Sequence, residues 1–175
     1  MIKSYSQGFT LIELLVVIAI IGIFSSIVLA ALNTARGKGS NATIKADINN
    51  IRSVAEFYYE DTTANGGQGS YFGICTNAGL NANSAKFMNG VNAAHSASGA
   101  GGGVITNAIT SQNINTTNCH SAVAGGGWVV SVPLKTPETV GATTYNYWCA
   151  DSTGFAGGRI NLLAGGANVI TCPGA

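Results

Sequence analysis

The sequence predicts an α+β fold: a long N-terminal helix packed on a C-terminal antiparallel β-sheet, joined by a Gly/Asn-rich, disulfide-stapled connection. Three observations carry this. Leu14 to Leu32 is a run of 19 residues with neither charge nor proline. A one-sided apolar stripe at helical spacing follows, from Ile44 to Tyr58. From Trp128 onward, β-branched and aromatic runs alternate with turn-forming residues. The length of 175 residues suits one modest domain plus an appendage.

Charge is scarce. Only 9% of the residues are charged, against roughly 25% in ordinary soluble domains. The formal net charge of +1 excludes a basic field for gripping nucleic acid and an acidic disordered tail. The apolar N-terminus does not account for this, because residues 33–175 hold only 13 charged residues among 143.

Residues 1–8 are polar and carry Lys3. The apolar run after them is near the roughly 20 residues a membrane-spanning helix needs. A secretory signal would have a shorter core and no Glu13. A plain anchor leaves Glu13 unexplained, since a carboxylate carried to the membrane centre costs about 2.5–3.5 kcal/mol and usually has a partner.

Gly8-Phe9-Thr10-Leu11-Ile12-Glu13, followed by Leu14-Leu15-Val16-Val17-Ile18-Ala19-Ile20-Ile21-Gly22, closely resembles the N-terminus of type IV pilins and pseudopilins. The match runs without a gap from Phe9 to Gly22, and the likeness extends over about residues 8–60. The resemblance implies that a prepilin peptidase cuts after Gly8 and methylates the new terminus, Phe9. It also implies that Glu13 meets the N-terminal amine of a neighbouring subunit during assembly. Pairing the two charges offsets part of the cost of burying each and penalises helices stacked out of step. On a continuous helix the Phe9 amine would lie one turn from Glu13. Many type IV pilins carry a proline where this chain has Ala30. Without it the helix is either straighter or yields at Gly22 and Ser25-Ser26 instead.

Past Leu32 the chain turns polar but keeps its period. Ile44, Ile48, Ile51, Ala55 and Tyr58 step by 4, 3, 4 and 3, which is one helical face. Val54 and Phe57 widen it, and seven charges fall within residues 33–60. The stripe is expected to bury against the head's own sheet. Gly37 and Gly39 weaken a helix by about 1 kcal/mol each and mark a flexible joint. Thr62 to Gly67 ends the helix. The 53 residues from Phe9 to Asp61 would span about 80 Å as one helix.

Residues 62–127 hold one charge, Lys86, and read as a loop-rich connecting region. Within it Ala82–Ala97 has helical spacing, and Val104–Thr110 is ambiguous between strand and helix. The sheet is assigned to residues 128–175. Trp128–Val132 is a strand that stops at Pro133, and Lys135–Ala142 is a connection. Thr143–Cys149 is a second strand, and Asp151–Gly154 is a turn. Arg159–Leu163 and Asn168–Cys172 are a third and a fourth strand. With residues 1–8 as leader, 9–32 as transmembrane and assembly helix, and 33–61 as amphipathic helix, this is the pilin plan.

Cys75, Cys119, Cys149 and Cys172 contain no CxxC, which argues against zinc and redox motifs. Beside a membrane-targeting N-terminus they point to two disulfides in an oxidising compartment. Of the three pairings, Cys75–Cys119 and Cys149–Cys172 are favoured, because each joins neighbours in chain order and closes an otherwise unrestrained loop.

No catalytic constellation appears, and the expectation is a non-enzyme with neither cofactor nor metal. His95 and His120 have no acidic residue nearby in sequence. Asp151 is a poor calcium candidate for want of other carboxylates. Asn41-Ala42-Thr43 and Asn115-Thr116-Thr117 match the N-glycosylation pattern.

The resemblance thus implies a structural subunit polymerised through its N-terminal helix into a type IV pilus filament. Its partners would be further copies of itself, the prepilin peptidase, the assembly platform in the cytoplasmic membrane, and that membrane before assembly. It would then lie on the cell surface as a filament. Nucleic acid is not expected as a partner, because the cleaved chain would carry seven basic and seven acidic side chains. The alternatives are a pseudopilin of a type II secretion system and, in another class, an anchored extracellular binding domain that never polymerises. Glu13 and the cleavage motif argue against the last.

Overall fold

The computed structural model describes residues 8–63, 69–76, 82–107, 115–122, 124–160 and 170–172. The chain divides into two compact units, Met1–Arg36 and Gly37–Ala175. Helix α1, Leu11–Tyr59, contributes to both.

In the first unit α1 is apolar on every side. It runs unbroken through Gly22, Ser25, Ser26 and Ala30. The hydroxyls of Ser26 and Thr34 donate locally, to the carbonyls of Ile23 (2.8 Å) and Ala30 (3.4 Å). Every described residue from Gly8 to Arg36 is exposed.

In the second unit the stripe of α1 is buried as its period requires. Ile44, Ile48, Ile51, Ala55 and Tyr58 are all 0–1% exposed. Helix α2, Ala82–Ser98, presents Phe87, Met88, Val91 and Ala94 to the same core. Gly90 lets the two helices close up, since a β-carbon there would collide with Ile51 Cγ2. Gly37 and Gly39 form no break, because α1 passes through both as helix. Gly37 has a packing reason instead. A β-carbon at that position would stand 2.5 Å from Thr136 Cγ2, so a larger residue would hold helix and sheet apart.

Among the described residues the sheet has five strands, in the order β1 (Val104–Thr106), β2 (Thr117–Ser121), β3 (Trp128–Val140), β4 (Thr143–Asp151) and β5 (Ala156–Arg159). Strands β2 to β5 are antiparallel, and β1 joins β2 in parallel. The sheet therefore begins well before Trp128. The β2 segment, Thr-Asn-Cys-His-Ser, has little β-propensity and is recruited by pairing with β3 and by the bridge at Cys119. Trp128, Val130 and Val132 of β3 face the helices, and Phe87 meets Trp128 edge-on at 5.2 Å. Val129 and Cys149 lie on the opposite face with Cys172.

Strand β3 does not stop at Pro133. It continues to Val140 with a shift in register: Pro133 pairs with Tyr147, and the next pair is Glu138 with Tyr145. Residues 134–137 therefore bulge opposite Asn146, and Pro137 sits where no ladder hydrogen bond is required of it. The bulge is held from outside the sheet. Asn41 of α1 accepts from Lys135 N (2.8 Å) and Thr136 N (3.3 Å) through Oδ1. Its Nδ2 donates to Thr136 O (2.8 Å) and Glu138 Oε1 (3.0 Å). The hairpin then closes at Gly141-Ala142, with Gly141 at φ 62°.

The strand expected at Arg159–Leu163 lies earlier, at Ala156–Arg159, and pairing begins with Ala150 opposite Ala156. Gly157 and Gly158 conceal it in the sequence, yet their bare faces admit the rings of Phe155 and Tyr145. Residues 161–163, 168–169 and 108–110 lie outside the described residues, and 170–172 are not strand. Two disulfides, Cys75–Cys119 and Cys149–Cys172, join the loop after α1 to β2 and residue 172 to β4.

Candidate processing and assembly site

Gly8, Phe9 and Thr10 precede the first turn of α1 and are exposed. Among the described residues nothing lies within 4 Å of where a β-carbon on Gly8 would be. Phe9 itself is 82% exposed.

Thr10 caps the helix, and Glu13 answers it. Glu13 N donates to Thr10 Oγ1 (3.3 Å), while Thr10 N donates back to Glu13 Oε2 (2.9 Å). The Thr10 hydroxyl donates to the same Oε2 at 2.8 Å. This is the reciprocal Thr-x-x-Glu capping box, which satisfies two of the donors that a helix start leaves bare. It also sets a carboxylate at the positive end of the helix dipole. Phe9 thus lies two residues before the first residue of α1, not on its first turn. Within one chain the carboxylate turns towards Thr10, and Oε2 receives both Thr10 donors. The Thr10–Glu13 spacing in the sequence carries this signal, and sequence reasoning read Glu13 only as an assembly charge.

Behind the cap, the large apolar residues from Phe9 to Leu32 are 45–88% exposed. The helix is long and apolar enough to cross a membrane, and none of its most apolar stretch is buried within the chain.

The other singled-out residues have structural settings. Asp151 is 2% exposed. Its Oδ1 accepts from Thr153 N (2.9 Å), Thr153 Oγ1 (2.6 Å) and Phe155 N (3.3 Å), and its Oδ2 from Cys172 N (2.7 Å). Both oxygens serve the turn and the segment at residue 172, which leaves little for a calcium ion. His95 Nδ1 lies 3.0 Å from Thr117 Oγ1, and burial lowers its pKa below the ordinary value. His120 is buried on β2. No cluster of three His, Cys, Asp or Glu side chains suited to a metal occurs among the described residues. Asn41 is fully buried in its hydrogen bonds to the bulge, so the folded head offers no glycan acceptor there, whereas Asn115 is exposed.

Residues 3–29 match the family model of the prokaryotic N-terminal methylation motif. The chain therefore carries the type IV prepilin signature, and the motif supports a protein of the type IV pilin or pseudopilin class. No curated protein and no solved structure matches this chain. The layout of long helix, antiparallel strands β2–β5 and two disulfides is pilin-like.

Proposed function

We propose that the chain is a structural subunit of a type IV pilus. It is cut after Gly8, methylated on Phe9, and polymerised through α1 into a filament on the cell surface. One observation carries the reading: an acid beside a methylation motif opens a helix whose apolar surface is exposed on all sides. Such a surface needs lipid first and other copies of the same helix afterwards. Cleavage exposes an amine on Phe9, and Glu13 is the only acid within residues 1–46 with which a neighbour's amine can pair in an apolar bundle. Partners on this reading are the prepilin peptidase, an assembly platform in the cytoplasmic membrane, and further copies.

The test is Glu13→Val. Leader removal, read by N-terminal mass, is expected to proceed normally, while sheared surface filaments fall at least tenfold. Normal filaments from this variant would sink the assembly role. Long surface fibres in electron micrographs of the wild type separate a pilus from the short rod of a secretion pseudopilus.

A further inference from the structure

The sequence holds two Asn-x-Thr triplets, and the fold treats them in opposite ways. Asn41-Ala42-Thr43 lies inside α1. Asn41 is fully buried, and its Nδ2 is committed to Thr136 O and Glu138 Oε1. A sugar on that nitrogen would break the tie to the bulge. Asn115-Thr116-Thr117 instead runs from a turn into β2, and Asn115 is exposed. The turn is fastened through the main chain, where Asn115 O accepts from Gly102 N at 3.0 Å. A substituent on the Asn115 amide leaves that bond intact.

Asn115 also stands at the rim of a groove between the end of α2 and the β3 bulge. Among the described residues the groove has a volume of about 520 Å³, within the roughly 300–1,000 Å³ of small-molecule sites. Pro133, Pro137 and Ile160 give it apolar faces, and Asn146 and Lys135 give it hydrogen-bonding groups. Lys135 is the one charged residue lining it. Its amine reaches across to the end of α2, where a β-carbon on Gly99 would lie 2.4 Å from Nζ. Proline rings beside an amide and an amine, with no carboxylate, suit an uncharged sugar: its C–H faces lie on the rings and its hydroxyls meet the polar groups.

We infer that Asn115 is N-glycosylated and that the first sugars of its glycan lie in this groove. The donor is a saccharide linked to a lipid diphosphate. A bond forms between Asn115 Nδ2 and the anomeric carbon, the glycosyl–phosphate bond breaks, the lipid diphosphate leaves, and the amide gives up one proton. Transfer precedes folding of the sheet. Thr117, whose hydroxyl completes the acceptor pattern, is fully buried with that hydroxyl 3.0 Å from His95 Nδ1, so the triplet is read before β2 pairs. The inference needs only that the head is exported, as its disulfides also require, and it holds equally for a chain that never polymerises.

The test uses the full chain extracted in detergent from the cells that naturally make it, as wild type, Asn115→Gln, Thr117→Ser and Thr117→Val. Intact mass and peptide fragmentation are expected to place one saccharide on Asn115 and none on Asn41. Asn115→Gln and Thr117→Val should lose it, and Thr117→Ser, which keeps the hydroxyl, should retain it. Non-reducing gels confirm that both disulfides form in each variant. Hydrogen exchange reads the groove: the amides from Leu134 to Thr136 should exchange several-fold faster in Asn115→Gln than in the wild type. An unmodified Asn115 in the wild type overturns the inference and leaves the filament reading standing, since that reading is tested by fibres and not by mass. A saccharide that survives in Asn115→Gln, or one found on Asn41, overturns it equally. Equal exchange in the two proteins refutes the seating of the sugars in the groove.

Discussion

Replacing Asn41 with alanine removes the side chain whose amide ties residues 135 and 136 of the β3 bulge to α1. The amide meets five backbone or side-chain atoms at 2.8–3.3 Å, namely Lys135 N, Thr136 N, Thr136 O, Thr136 Oγ1 and Glu138 Oε1. Alanine leaves two N–H groups and one carbonyl of the bulge without that partner. A buried polar group left unsatisfied costs about 1–3 kcal/mol. Lys135 is exposed and Thr136 half-buried, so water recovers part of this, and the net cost is expected at about 2–4 kcal/mol. That is a large share of the roughly 5–15 kcal/mol that holds a domain together. The assay is urea unfolding of the full chain in detergent micelles with disulfides intact, followed by the fluorescence of Trp128 and Trp148, both in the head. Thr43→Ala is the control. It destroys the same Asn-x-Thr pattern but touches only an exposed hydroxyl bonded to Gly39 O at 3.2 Å, so it should cost under about 0.5 kcal/mol. Equal effects from the two variants, or an Asn41→Ala loss below about 0.5 kcal/mol, would refute the clamp.

Two further outcomes follow from the packing and the charges. Burial pushes Glu138 up, but the hydrogen bonds from Lys45 and Asn41 and the charges of Lys45 and Lys38 outweigh it, so its pKa sits below the ordinary glutamate value. A depressed carboxyl contributes stability above its unfolded pKa and loses it as pH falls through the folded one. Glu138→Gln should therefore flatten the acid limb of head stability, and an unchanged pH profile would contradict the pairing. Gly90→Val forces a side chain into Ile51 where α2 meets α1. Overpacking of this kind costs about 1–3 kcal/mol, and thermal melting of the variant should show a lowered Tm, with no shift counting against the close approach.

The helical parts of the fold were legible because periodicity is a local property. The stripe from Ile44 to Tyr58 and the run around Phe87, Met88 and Val91 could be placed on helices by spacing alone. The sheet was legible only where side chains favour strands, in Trp128–Val132 and Thr143–Cys149. Strand β2 and β5, Thr-Asn-Cys-His-Ser and Ala-Gly-Gly-Arg, owe their state to neighbours. Their pairing is a tertiary effect that no local window contains. Pro133 misled for a related reason. A proline forbids a ladder bond at its own nitrogen, but β3 is already past its last pair with β2, Asn118 with Ser131, when it reaches Pro133 opposite Tyr147; Pro137 in turn lies in the bulge that Asn41, over 90 residues away in sequence, clamps. At the N-terminus the motif marks the class of protein, while the Thr-x-x-Glu spacing of Thr10 and Glu13 carries a second, local signal, the capping box. The capping pattern and the assembly acid share one carboxylate.

The seam between α1 and the rest of the head also decides how the domain bears mechanical load. Asn41 and Lys45 grip β3, Arg52 grips Gly154 O, and the Tyr58 hydroxyl donates to Phe72 O. These ties are strung along about 25 Å of helix. Tension applied along α1 meets them side by side, in shear, so several must fail at once. A pull across the helix would meet them singly, as in the opening of a zipper. The head is therefore built to be strong in the direction of its own helix and weak across it.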